Sequence, residues 1–358
     1  MKRTLPLAGV CAALVSVAFA PGAALAETTP PATPTTTTPA TPPATPPAPP
    51  APLVGHVKLT LLKVGGSPPF ALVGGRIVVR GVITPYVGEQ TVKVSFYRDG
   101  HKFGVRMLSV LDAGNGTGQF ELNFGSANAG RVEARIVHYA TPQMSAFSGR
   151  TPGVQFVNTN LGPGAEGESV RLLQSELHVL HFAVPLSGVL DGGTARALVA
   201  YRKATGLARI EYAGRQVFEL LERHAGSFHV RYPHDGRHVE ADLTKQVLAE
   251  IEPGGRVHAI YTMSSGKPST PTVIGHFTVY SKTPGTNSEG MVDSNYFIRG
   301  YAIHGYHEVP TYAASHGCLR VPIPDAAAIY AWVRYGTPVD VYNEDGGGSA
   351  RVREDAGP

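Results

Sequence analysis

The hydrophobic period of the chain changes twice, and those changes limit its fold more than any other feature. From about Leu53 to Gly149 apolar and polar residues alternate in short runs divided by glycine. VKLTLLKV, GRIVVRGVI, TVKVSFYR, KFGVRMLSV, GQFELNF and RVEARIVHYA have the period of two that turns one strand face toward a core. Arg98-Asp99-Gly100-His101 has hairpin chemistry, and Gly114-Asn115-Gly116 marks another turn. Regularly spaced strands of this kind predict an immunoglobulin-like β-sandwich over residues 53–150. Its histidines, His56, His101 and His138, are scattered, so a spacer or adhesion role is expected there rather than catalysis.

Between about Leu161 and Leu221 the period becomes helical. Val170, Leu173, Leu177 and Leu180 share one helix face. Asp191-Gly192-Gly193-Thr194 opens a second helix, Ala195 to Ala204, with Asp191 or Thr194 as its cap, and Gly206 closes it. After Phe228 the pattern is β again. Strands are expected at His238–Leu243, Gln246–Ile251, Arg256–Ser265, His276–Tyr280, Tyr296–Ala302 and Thr337–Tyr342, with one helix from Pro324 to Arg334. The lack of βαβ alternation argues against a doubly wound sheet. The expectation is a multidomain chain: a sandwich, a small three-helix domain over 157–225 and a mostly-β domain over 228–343.

The two ends read differently. Residues 1–26 have a positive start at Lys2 and Arg3, an apolar run and the small-x-small sequence Ala24-Leu25-Ala26, the pattern of a cleavable signal peptide. An uncleaved anchor is the alternative. Residues 27–52 are Pro, Thr and Ala apart from Glu27, which predicts an extended linker, and 344–358 reads as a disordered tail. No later segment resembles a transmembrane helix, so an exported protein of the wall or a periplasm-like space is expected, with no stable membrane insertion after cleavage.

Two cysteines exclude a disulfide scaffold and a four-cysteine metal site, and a net charge of +4 is too small to argue for nucleic acid. Cleavage would remove Cys11 and leave one thiol, Cys318. Such a thiol is an inert buried residue, an intermolecular bridge or a nucleophile. It stands in Ser315-His316-Gly317-Cys318-Leu319-Arg320-Val321, fourteen positions after His304 in Ile303-His304-Gly305. Two histidines, two glycines and a serine are poor core material. Thiolate chemistry needs a base, a group that orients it and donors toward an oxyanion, for which the amides of Gly317 and Cys318 are candidates. A rival reading makes His304, His307, His316 and Cys318 zinc ligands, although His316-x-Cys318 is an unusual ligand pair. His224, His229, His234 and His238 read as solvated loop residues.

These residues resemble the L,D-transpeptidase family, the YkuD-type catalytic domain, whose signature is His, a gap, then Ser/Thr-His-Gly-Cys. Ala241-Asp242-Leu243-Thr244-Lys245-Gln246, Ser264-Ser265-Gly266-Lys267 and Thr270-Pro271-Thr272-Val273-Ile274-Gly275-His276-Phe277 extend the resemblance, with Ile274 inserted before the glycine. It implies Cys318 as acylated nucleophile, His304 as base and the Gly305 carbonyl as the group orienting it. Ser315 and His316 would shape the site. Gly317 would lie against substrate, Arg320 would hold the donor carboxylate, and Tyr296, Tyr301 and Tyr306 would line the cleft. The implied reaction joins two diamino acids of peptidoglycan stems, with no metal or organic cofactor. The helical region resembles the small peptidoglycan-binding domain of wall enzymes at Gly167, Val170, Leu173-Gln174, Leu177, Leu180, Gly188, Asp191, Thr194, Ala197 and Gly206-Leu207. It departs from that domain at His181-Phe182 and Tyr201-Arg202. Two alternatives stay open: an L,D-carboxypeptidase using water as acceptor, and a non-catalytic wall-binding protein. Oligomeric state is not legible from the sequence.

Overall fold

The computed structural model describes residues 49–344. The signal segment, most of the proline-rich linker and all but the first residue of the tail lie outside the described residues. The N-terminal β region contains β1 (His56–Leu62), β2 (Phe70–Leu72), β3 (Ile77–Thr84), β4 (Thr91–Arg98), β5 (His101–Ser109), β6 (Leu111–Gly114), β7 (Thr117–Phe124), β8 (Gly130–His138), β9 (Phe147–Arg150) and β10 (Val154–Val157). One sheet has the order β1-β3-β7-β6. The other runs β2-β10-β8-β4-β5, with β9 also paired to β8. All pairings are antiparallel except β2 with β10. Alternation along β4, β7 and β8 buries Val92, Val94, Phe96, Phe120, Ala134 and Ile136 together with Val79 and Ile83 of β3. The β4–β5 hairpin turns at Asp99 and Gly100, whose φ angles of 49° and 82° are those an Asp-Gly turn supplies. Strands β2, β6, β9 and β10 are additions to the six legible runs. All are four residues or shorter, too brief to show a period.

Three helices follow: α1 (Glu168–Val179), α2 (Gly192–Ala204) and α3 (Arg215–Glu222). Of the two candidate caps, Asp191 holds the position, accepting from the Thr194 amide at 2.8 Å. The mostly-β region contains β11 (His238–Asp242), β12 (Val247–Glu252), β13 (Arg256–Thr262), β14 (Gly275–Thr278), β15 (Ser281–Thr286), β16 (Val292–Ile298), β17 (Tyr301–Tyr306), β18 (Leu319–Pro322), α4 (Ile323–Trp332) and β19 (Pro338–Tyr342). They form a five-stranded sheet, β13-β12-β11-β19-β14, and a four-stranded sheet, β15-β16-β17-β18. Between the sheets and α4 lie Val239, Leu248, Phe277, Phe297, Ile303, Leu319, Ile329 and Trp332.

The expected strand Tyr296–Ala302 is a hairpin instead. The chain reverses at Arg299, with φ 47°, and Gly300, so Tyr296 faces Ala302 across β16 and β17. Aromatic residues on both arms hid that turn in the sequence. His238 is fully buried on β11 rather than solvated, with Nδ1 2.9 Å from the Gly236 carbonyl and Nε2 3.2 Å from Glu240.

Strand β12 is covered on both faces. Val247, Ala249 and Ile251 join the core of α1–α3, whereas Leu248 points into the core beneath α4. The helices are further tied to this sheet by Lys203 of α2. It is 2% exposed, and its Nζ donates to Gln246 O at 3.1 Å, Thr262 Oγ1 at 2.7 Å and Met263 O at 2.8 Å. Burial, with the charge of Arg209 nearby, pushes its amine down to about 7. Lys203→Met leaves these acceptors unpaired and is expected to cost about 3 kcal/mol, lowering Tm by roughly 6–12 °C in a thermal melt. An unchanged Tm would mean that Lys203 ties nothing together.

Candidate active site

Parallel pairing of β17 with β18 sets His304 beside Arg320 and Ile303 beside Leu319, which brings Cys318, one residue before β18, to the His304 strand. The turn carrying the cysteine is knitted by Ser315. Its buried hydroxyl donates to the Cys318 carbonyl at 2.6 Å and accepts from the Gly317 amide at 3.0 Å. The Gly317 amide is therefore engaged within the turn, whereas the Cys318 amide has no such side-chain partner among the described residues.

A second segment, residues 264–272, buttresses this turn. Ser264 exchanges backbone hydrogen bonds with Arg320 at 2.9 and 3.0 Å, and Ser265 O accepts from the amides of Ala314 and Ser315. Thr272 Oγ1 accepts from Gly266 N and donates to Gly317 O, both at 2.8 Å. The stretches with the strongest motif resemblance thus meet in space. Gly317 has φ 123°, and a Cβ there would come within 1.8 Å of the Tyr301 ring, so only glycine fits. Tyr301 packs over the turn. Tyr296 does not line the Cys318 cavity, but its hydroxyl lies 3.5 Å from Nδ2 of Asn287 in a neighbouring loop.

Cys318 is half-buried in a cavity of about 180 Å³ lined by Glu289, Met291, His304, Tyr306, Ser315, His316 and Arg320. His304 is 3% exposed, and its Nδ1 lies 2.9 Å from Gly305 O. That contact fixes the Nδ1–H tautomer, donating to the carbonyl, and leaves Nε2 as the acceptor. Burial and the Arg320 charge hold the imidazole below its usual range, with the Gly305 bond opposing, so it is neutral near pH 7. Arg320 is 9% exposed, lies 4.1 Å over the Tyr306 ring and pairs with no carboxylate among the described residues. His316 is exposed, with Nε2 3.2 Å from Lys267 Nζ. The ligand atoms of His304, His307, His316 and Cys318 do not gather into a metal-holding group among the described residues.

Two lining residues were not legible in the sequence. Glu289 and Met291 come from a loop folded by Asn287, whose Oδ1 accepts from both of their amides. Asn287 and Gly290 are turn-forming residues, but nothing local ties their turn to Cys318. Burial raises the thiol, the Ala302 amide and Arg320 lower it, and Glu289 raises it again. Glu289→Gln is therefore expected to move the acidic limb of Cys318 alkylation to lower pH, and Arg320→Gln to higher pH. Profiles that superimpose on the wild type would remove both charges from the account.

The model of the YkuD family, the L,D-transpeptidase catalytic domain, matches residues 236–341. Among solved structures, an L,D-transpeptidase from Xylanimonas cellulosilytica is 33% identical, with 51% of this chain and 98% of that chain covered and a TM-score of 0.47. One from Stackebrandtia nassauensis is 22% identical, with 53% and 98% covered and a TM-score of 0.34. One from Mycobacterium smegmatis is 13% identical, with 80% and 99% covered and a TM-score of 0.27. No curated protein matches the chain.

Proposed function

We propose that this chain, which belongs to the L,D-transpeptidase family through a catalytic domain at residues 236–341, is a cysteine acyltransferase that cross-links peptidoglycan stems outside the cytoplasm. The observation that carries the reading is one small cavity shared by Cys318, a neutral His304 oriented by Gly305 O, and Arg320, which meets no carboxylate among the described residues.

His304 Nε2 takes the Cys318 proton as sulfur attacks the carbonyl before the terminal D-residue of a tetrapeptide stem. The C–S bond forms, the C–N bond breaks, and the leaving amine receives the proton from His304. The side-chain amine of a second stem then attacks the thioester, loses its proton to His304 and releases Cys318. The Cys318 amide is the donor left for the oxyanion, and Arg320 pairs with the donor's carboxylate. The thiolate supplies the nucleophile, so the reaction calls for no cofactor.

Helices α1–α3 are the proposed polymer-binding element. A cleft of about 500 Å³ between α2 and the catalytic domain is lined by Arg196, Val199, Glu211, His307, Thr311 and Ile323, and it shares Tyr306 with the Cys318 cavity. Polymer held there lies beside the thiol. Product analysis of a tetrapeptide stem with and without an acceptor stem tests the proposal. A dimer lacking the terminal D-residue is expected with acceptor, whereas a tripeptide alone under both conditions would replace transfer by hydrolysis. Unchanged stem, from folded protein, would favour a wall-binding role.

A further inference from the structure

Asp235, His276 and Asp340 all lie outside the lining of the Cys318 cavity. His276 faces Asp340 across the β14–β19 pair, with Nδ1 2.6 Å from Oδ1. Asp235, in the turn before β11, supplies a second carboxylate, and the three ligand atoms lie within 4.8 Å of one another. Asp340 is 1% exposed, and its Oδ2 has no hydrogen-bond partner. A buried carboxylate oxygen left unpaired is costly.

The charges do not balance either. Even a protonated His276 answers only one of two carboxylates; burial above all, with Asp235 adding to it, disfavours the ionised Asp340, against the opposing pull of the His276 and His238 imidazoles. His238, the further imidazole that acts on Asp340, is itself engaged by Glu240 and Gly236. The Asp235 carboxylate takes part in no hydrogen bond or ion pair among the described residues.

We propose that Asp235, His276 and Asp340 form a binding site for a divalent first-row cation of the zinc type. An imidazole with two carboxylates suits such a borderline ion, whereas calcium and magnesium favour all-oxygen sets. Asp340 closes the site from below. Asp235 and His276 are exposed, so the ion enters from solvent and water completes its shell. Bound there, it ties the turn entering the catalytic domain to β14, the edge strand of the five-stranded sheet. Strand β14 follows directly on the segment that buttresses the Cys318 turn.

The test is titration of the chelator-treated full chain with zinc chloride, read by calorimetry and by thermal melting. Saturable one-to-one binding is expected, with Tm raised by roughly 5 °C at a hundredfold excess over Kd. His276→Ala and Asp235→Asn should each weaken binding at least tenfold and remove the Tm shift. Asp235 lies in an exposed turn, so that variant keeps the fold. Absence of saturable binding to the wild type overturns the proposal. So does equal binding by the folded Asp235→Asn and His276→Ala variants, which assigns the ion to other surface histidines. Neither readout depends on transpeptidase activity.

Discussion

Cys318→Ala is expected to lower stem-peptide conversion by about 10³-fold or more while leaving the thermal melt unchanged. The two halves of that result have separate physical causes. The bonds that shape the turn run from Ser315 Oγ to the Cys318 carbonyl and from the Gly317 amide to Ser315 Oγ, and none uses the thiol. Sγ itself makes a long contact, 3.7 Å to Gly300 O, and faces the Ala302 amide, and neither contact shapes the turn. Removing sulfur therefore removes the proposed nucleophile and little else. A folded Cys318→Ala protein retaining transfer within tenfold of the wild type would require another acyl acceptor.

The second large effect is expected at His304. Replacing it with Ala removes the proposed base, and losses of about 10²- to 10⁴-fold follow from that role. Its pH signature is more specific. Burial lowers the imidazole, so the wild-type rate falls as pH drops through that lowered value and the base becomes protonated. The thiol is raised by burial, so without the imidazole the residual rate climbs with pH as solvent ionises Cys318. His304→Ala should lose the acidic limb and show this monotonic rise. A variant that kept the wild-type profile at lower amplitude would reduce His304 to a structural residue.

Much of the site was legible because its chemistry is encoded locally. Ser315 to Cys318 and His304-Gly305 are short motifs, and parallel pairing of β17 with β18 does the rest. Turns with their own signatures were legible for the same reason, as at Asp99-Gly100, and the start of α2 was legible down to two candidate caps, Asp191 and Thr194. What escaped depends on contacts distant in sequence. Glu289 reaches Cys318 only through the Asn287 loop. Lys203 looks like a polar helix residue until β12 and β13 supply its three acceptors. His238 looks solvated until Glu240 and Gly236 enclose it. Asp235, His276 and Asp340 are separated by long stretches of chain, and only the sheet order brings them together.

The central claim is that Cys318 forms a covalent acyl-enzyme, and intact mass measurement after exposure to a carbapenem β-lactam tests it most directly. One acyl adduct is expected on the wild type and none on Cys318→Ala. No adduct on folded wild-type protein, or the same adduct on both proteins, would contradict it.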